Sequence, residues 1–122
     1  MRLVPLRIPT GWIVHWNQFM EDDDSDEQKN DTEDILWLER VVPDVKEHAG
    51  KRVNIDLGWY DMEEGTLKHF VLRVFEDRFR SRVAQFESHD VDEIRERIDL
   101  VLRLIASEGD AGLETLKKLA AE

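Results

Sequence analysis

Carboxylates are the side chains this chain supplies most freely for chemistry. Residues 21–34, EDDDSDEQKNDTED, hold nine acids and one lysine, a net charge of −8 without a single apolar side chain. Hard cations take oxygen ligands, so a calcium loop is the first chemistry to test. Counting Asp22 as position 1 puts Asp24, Asp26, Asn30 and Glu33 at positions 3, 5, 9 and 12 of an EF-hand loop. The glycine required at position 6 for the sharp turn is Glu27, however, and Lys29 stands at position 8, where an apolar residue anchors the loop. The residues before the run also have strand character rather than helix character. The segment therefore reads as a solvated acidic loop, expected to be mobile because it buries nothing to offset its ordering entropy. No metal site and no cofactor is expected.

Other constellations are no better assembled. The histidines, His15, His48, His69 and His89, contain no pair at i, i+3 or i, i+4 and no HExxH. Ser25, Ser81, Ser88 and Ser107 lie in neither a G-x-S-x-G elbow nor an S-x-x-K pattern, and the scattered glycines form no phosphate-binding loop. With 28 acids, carboxylate pairs for glycoside chemistry arise too easily by accident to mean anything. The absence of cysteine excludes a disulfide framework, a thiol nucleophile and a Cys-ligated metal. No catalytic residue is assigned, and an enzyme is not expected. If strand-like, Arg78, Arg80 and Arg82 would share one face and form a positive stripe, with Arg73 nearby, although residues 76–81 read as a turn. A net charge of −11 opposes nucleic-acid and anionic-membrane ligands, so pairing with the chain's own acids and protection of a sheet edge are the expected uses.

The elements that must position any site follow from periodicity. Leu3 to Ile8, interrupted by Pro5 and Pro9, reads as an edge strand or an extended lead-in. Trp12 to Trp16 is β-branched and aromatic, a strand with Trp12, Val14 and Trp16 on one face and Ile13 and His15 on the other. Ile35 to Leu38, with Val41 and Val42, fits a buried strand or one helical turn. Pro43 is expected to stop regular structure, with residues 44–50 a connection or a short helix ending at Gly50. Val53, Ile55, Leu57 and Trp59 alternate with small or polar residues, the clearest strand signal in the chain. Leu67 to Phe75 and Arg82 to Glu87 complete an antiparallel meander over residues 52–87.

At Asp90 the apolar period changes from 2 to 3.6. Asp90 suits an N-cap, with Glu93 three residues on. Val91, Ile94, Ile98, Val101, Leu102 and Ile105 form one apolar stripe. Gly109 closes this helix, and residues 111–121 are expected to form a short final helix that packs weakly through Leu113, Leu116 and Ala120. The prediction is thus one α+β domain over residues 1–122: an antiparallel sheet with one face covered by a C-terminal amphipathic helix plus a short final helix. No stretch approaches the roughly 18 apolar residues of a membrane span, and no signal-peptide pattern opens the chain, so a cytoplasmic setting is expected.

The chain holds four tryptophans, one tyrosine and five phenylalanines, most of which should be core. Trp59 and Tyr60 are consecutive on a strand, so if Trp59 faces the helix, Tyr60 faces the other side of the sheet. Aromatics on an open sheet face bordered by acids suit a protein-binding surface; the competing arrangement is coverage of that face by the N-terminal segment.

Pro9-Thr10-Gly11-Trp12, Asn17-Gln18-Phe19, Leu57-Gly58-Trp59-Tyr60 and Phe86-Glu87-Ser88, in this order around the acidic gap, resemble small acidic bacterial proteins encoded as immunity partners of polymorphic or contact-dependent toxins. The resemblance spans most of the chain but stops at Gly109. It implies a non-enzymatic cytosolic protein that binds and blocks a cognate toxin. It transfers no binding residues, because such proteins diverge at their contact surfaces. Charge adds its own argument: 14 residues carry −8, leaving −3 on the other 108, so a basic protein partner, a toxin domain among them, is expected. Asp22, Asp23, Asp24 and Asp26 are the candidate contact residues, with Tyr60 as an aromatic anchor. The alternative is a homo-oligomeric, dimeric scaffolding or regulatory protein that uses the same open face.

Overall fold

The computed structural model describes residues 3–20, 35–44, 47–60, 69–77 and 79–121. Among them lie five strands, β1 (Ile13–Asn17), β2 (Leu36–Asp44), β3 (Glu47–Tyr60), β4 (His69–Glu76) and β5 (Ser81–Ser88), followed by two helices, α1 (Val91–Glu108) and α2 (Asp110–Ala120). The strands are hydrogen-bonded in chain order, every neighbour antiparallel, so the sheet is an open meander with β1 and β5 at its edges. This is the expected α+β arrangement.

Alternation in β3 sets the layers. Val53, Ile55 and Leu57 are fully buried and lie in register between Arg40, Leu38 and Leu36 of β2 and Glu76, Val74 and Leu72 of β4. That row faces the helices. Ile94, Ile98, Val101, Leu102 and Ile105 of α1 close over it, as their i, i+3, i+4 spacing requires. Phe19 is buried in the same core, and Val4, Leu6 and Ile8 join it from the N-terminal segment. That segment is an extended lead-in, bridged to the rest at Leu3 and Met20, and the Arg7 N–H donates to Asp99 Oδ1 of α1 at 3.2 Å. It therefore runs on the helix side, and no described segment covers the opposite sheet face.

Helix α1 begins where capping chemistry places it. The Asp90 carboxylate accepts from the Asp92 N–H at 2.9 Å, and the Asp90 N–H in turn donates to Ser88 Oγ at 3.0 Å. It ends at Gly109, whose φ of 57° only glycine adopts freely and whose N–H donates to the Ile105 carbonyl at 2.9 Å.

Four expectations need correction. Pro43 does not stop β2. The strand runs on to Asp44 with a register shift between Val42 and Asp44, an irregularity at which proline's missing donor is tolerated. Residues 47–50, read as connection or helix, instead start β3, and Gly50, at φ 77°, lets that start lie against β2, where a Cβ would meet Val41 Cγ1 at 2.8 Å. The final helix does not pack weakly: Leu113 and Leu116 are fully buried in the main core. Strict alternation in β1 also fails. A register shift between Val14 and Trp16 leaves His15 as an extra residue, so Trp16 pairs with Trp37. Residues 35–42, left between strand and helix by periodicity, are strand from Leu36 onward.

Candidate interaction surface

Among the described residues, exposed rings concentrate on the face of the sheet turned away from the helices. Trp37 of β2 lies between the fully buried Leu36 and Leu38, and alternation turns it outward, where it is 37% exposed. Its indole N–H donates to Asn54 Oδ1 of β3 at 2.9 Å, and Asn54 is itself buried. Because Oδ1 must face that donor, the amide orientation is fixed; Asn54 Nδ2 is buried with no hydrogen-bond partner among the described residues.

The extra residue of β1 completes the clamp on Trp37. His15 stacks on the indole at 4.0 Å between ring centroids, and its Nε2 lies 3.0 Å from Glu39 Oε1. Arg52 NH1 approaches the other Glu39 oxygen at 3.5 Å. The His15 hydrogen bond and the Arg52 guanidinium hold the Glu39 carboxyl below its ordinary pKa against the opposing effect of burial, so it is an ionised anchor at neutral pH.

Phe79 closes the other side. It sits in the β4–β5 turn at φ 73°, two residues after Asp77 at φ 53°, and an aromatic residue with positive φ is an uncommon conformer. There its ring tilts against Trp37 at 5.8 Å and Phe75 at 5.1 Å while remaining 43% exposed. With Trp16, 46% exposed on the edge strand, these rings surround a hollow of about 640 Å³, lined by His15, Trp16, Leu36, Trp37, Asp56, Phe75 and Phe79. A wider depression, about 1100 Å³, lies between Arg7 and α1, but charges of both signs line it, among them Arg7, Glu93, Glu96, Arg97 and Asp99.

Three described hydroxyls serve the helices: Ser107 and Thr115 donate to the Arg103 and Ala111 carbonyls, and Ser88 Oγ accepts from the Asp90 N–H. His69 lies 2.9 Å from Glu87 Oε1, and its ring meets His89 edge-on at 5.2 Å. Among the described residues no group of three or more His, Cys, Asp or Glu could hold a metal ion, and no helix is long and apolar enough to cross a membrane. Of the three arginines, Arg80 precedes β5 and approaches Asp77 at 4.0 Å, Arg82 in β5 donates to Gln85 Oε1, and Arg78 lies outside the described residues.

Of the residues assigned from the sequence, Tyr60 closes β3 in register with His69, and its side chain lies outside the described residues. Asp22, Asp23, Asp24 and Asp26 lie outside them too. The tryptophans differ from expectation, since none is fully buried: Trp12 and Trp59 pack partly against the core, and Trp16 and Trp37 face out. Sequence reasoning passed over Trp37, Trp16, His15 and Phe79. The one available signal was Trp37 between two leucines on a strand. No family model matches this chain, and no curated protein and no solved structure matches it either.

Proposed function

We propose that this protein is a non-enzymatic, cytoplasmic protein-binding module of the immunity type, which docks on a basic toxin domain and blocks it. The observation that carries the reading is the cluster of exposed rings on the sheet face that no described segment covers. Aromatic residues are enriched at protein interfaces because each brings large apolar area at small conformational cost. Charge supports the same reading. The −8 segment joins β1 to β2, the two strands that bring His15, Trp16 and Trp37 to the hollow. A basic partner is attracted by the charge of that segment before contact, which raises the association rate.

The test is co-expression with the product of the neighbouring gene, followed by stopped-flow association at rising salt. The Debye length falls from about 10 Å at 0.1 M to about 3 Å at 1 M, so association should slow steeply. Replacing Asp22, Asp23, Asp24 and Asp26 with Asn should slow it further at low salt, and Trp37→Ala should speed dissociation. Capture that is indifferent to salt and to all five substitutions would refute the reading. One feature favours a homo-oligomer instead: Ile13 and Val14 are about half exposed on β1, a terminal strand of the sheet. Sedimentation equilibrium showing a stable dimer lost on Val14→Lys would select that alternative.

A further inference from the structure

We propose that His15 is a proton-operated clamp on Trp37: when its imidazole becomes a cation, the outward-facing indole is held more firmly in the position in which the sheet displays it. The switch is a property of the free chain, and its consequence for a partner rests on the protein-binding reading above.

Geometry puts one ring on two partners at once. The register shift in β1 leaves His15 as an extra residue, and its ring lies over the Trp37 indole, 4.0 Å between centroids and 25° from parallel. Its Nε2 sits 3.0 Å from Glu39 Oε1. An ionised carboxylate only accepts, so Nε2 carries hydrogen already in the neutral ring, and the added proton goes to Nδ1. The clamp therefore forms in both states and changes in strength rather than in shape. With the neutral ring it is a stack and an ordinary hydrogen bond to a carboxylate. With the cation, a positive charge lies over the indole face, and donor and acceptor of the hydrogen bond are both charged. Imidazole is the side chain whose charge ordinarily changes between pH 5 and 8. The indole edge is tied separately, its N–H donating to Asn54 Oδ1 at 2.9 Å, so the His15 stack is the contact that a proton varies.

The surrounding charges set the direction of the effect. Among the described residues, β2 contributes Glu39, and β3 contributes Arg52 and Asp56; Asp56 stands in register between Trp37 of β2 and Arg73 of β4. Asp77 and Arg80 of the β4–β5 turn face each other. Arg52 opposes a second cation, but it takes the other Glu39 oxygen at 3.5 Å, and its side chain is 44% exposed, so water screens the repulsion. The Glu39 side chain is 14% exposed, and its attraction is screened less. The His15 hydrogen bond first, and then Arg52, hold the Glu39 carboxyl below its ordinary pKa of 4.5 against the effect of burial. Glu39 thus stays ionised through the range in which an imidazole ordinarily gains its proton. Once Glu39 itself is protonated the anchor is lost, so the clamp is tightest in a mildly acidic window that closes at both ends. A partner that packs on Trp37 orders less on binding when the ring is already held.

The test follows the full-length ¹⁵N-labelled chain by NMR from about pH 4 to about pH 8.5, the span of imidazole and carboxylate titration. Trp37→Phe assigns the Trp37 indole N–H, and His15→Gln assigns the His15 ring. The Trp37 indole resonance should move in step with the His15 ring protons, and its heteronuclear NOE should rise as the ring becomes charged. His15→Gln, at an exposed strand position, should abolish both changes, with unchanged α1 amide resonances verifying the fold. Glu39→Gln should move the Trp37 transition to lower pH by about half a unit or more, because a neutral acceptor favours the cation less. Arg52→Gln should move it the other way, because the competing cation is gone. A Trp37 resonance that ignores the His15 titration, or one that keeps its pH dependence in His15→Gln, would overturn the clamp. Shifts of the same sign in Glu39→Gln and Arg52→Gln would overturn it as well. Any of these failures leaves the protein-binding reading intact if a basic partner is still captured in a salt-dependent way. Conversely, a working clamp on a chain that captures no partner would sink the broader reading and not the clamp.

Discussion

Replacing Gly112 with Ala should destabilise this protein, although glycine-to-alanine changes inside helices usually do the opposite. Gly112 is buried in the first turn of α2, and its φ lies outside the positive range, so alanine meets no local strain. Helix propensity alone would then favour alanine by about 1 kcal/mol. The obstacle is α1. A Cβ at position 112 would lie 2.3 Å from the Leu104 carbonyl oxygen and 2.7 Å from its carbon. Both are backbone atoms of a packed helix, so neither can rotate aside, and the start of α2 must retreat by about 0.7 Å to reach the closest contact a methyl carbon tolerates. Leu113 and Leu116, 1% and 0% exposed, move with it. Overpacking of this kind costs about 1–3 kcal/mol. Set against the propensity gain, the net is a loss of up to about 2 kcal/mol, or a fall in Tm of up to about 10 °C for a chain of this length. Urea unfolding followed by far-UV circular dichroism measures it, with Glu96→Ala on the exposed side of α1 as a control expected within about 0.5 kcal/mol of the parent. A Gly112→Ala protein more stable than the parent by the full propensity gain, about 1 kcal/mol, would mean that α2 does not press on α1 at Leu104.

Two further outcomes follow from the core and from the ion pairs. Ile98→Ala and Leu102→Ala, both at fully buried positions, should each cost about 2–5 kcal/mol, and losses under about 0.5 kcal/mol at both would refute the packing of α1 on the sheet. Stability should also depend on pH at both extremes. The folded pKa of Glu39 is lowered by its His15 hydrogen bond and by Arg52, so its contribution is present above the ordinary value of 4.5 and is lost as pH falls through the folded value; Glu39→Gln should flatten that acid limb. The folded pKa of Lys117 is raised by its hydrogen bond to Glu114 and by Glu76, so its contribution is present below the ordinary value of 10.5 and is lost as pH rises through the folded value. Lys117→Met should flatten the alkaline limb in the same denaturation series, and an unchanged limb in either variant would remove that pair from the account.

What the sequence made legible is what regular periods can carry. Val53, Ile55 and Leu57 alternate without a break, and Ile94 to Ile105 keep one stripe, so β3, β4, β5 and α1 were readable along with the α+β class. The misread places are those where one residue breaks a period or a distant element decides. Pro43 looked like a terminus because a ladder normally needs its missing N–H, yet a local register shift removes that need. Leu113 and Leu116 looked like a weak helix because eleven residues hold little apolar surface alone; what buries them is the close approach of α2 to α1, which Gly112 permits and no periodicity encodes. The candidate site was the least legible part for the same reason. Its rings come from β1, β2, β4 and the β4–β5 turn, and two of them depend on irregular backbone: His15 on the register shift in β1, Phe79 on a positive φ. Sequence reasoning chose Tyr60 because consecutive residues on a strand must face opposite ways, and that logic is sound. Applied to Leu36-Trp37-Leu38 it would also have turned Trp37 outward, but only with β2 already known to be strand, which so few residues could not decide. The open face was thus half encoded in alternation, and the other half arose where alternation fails.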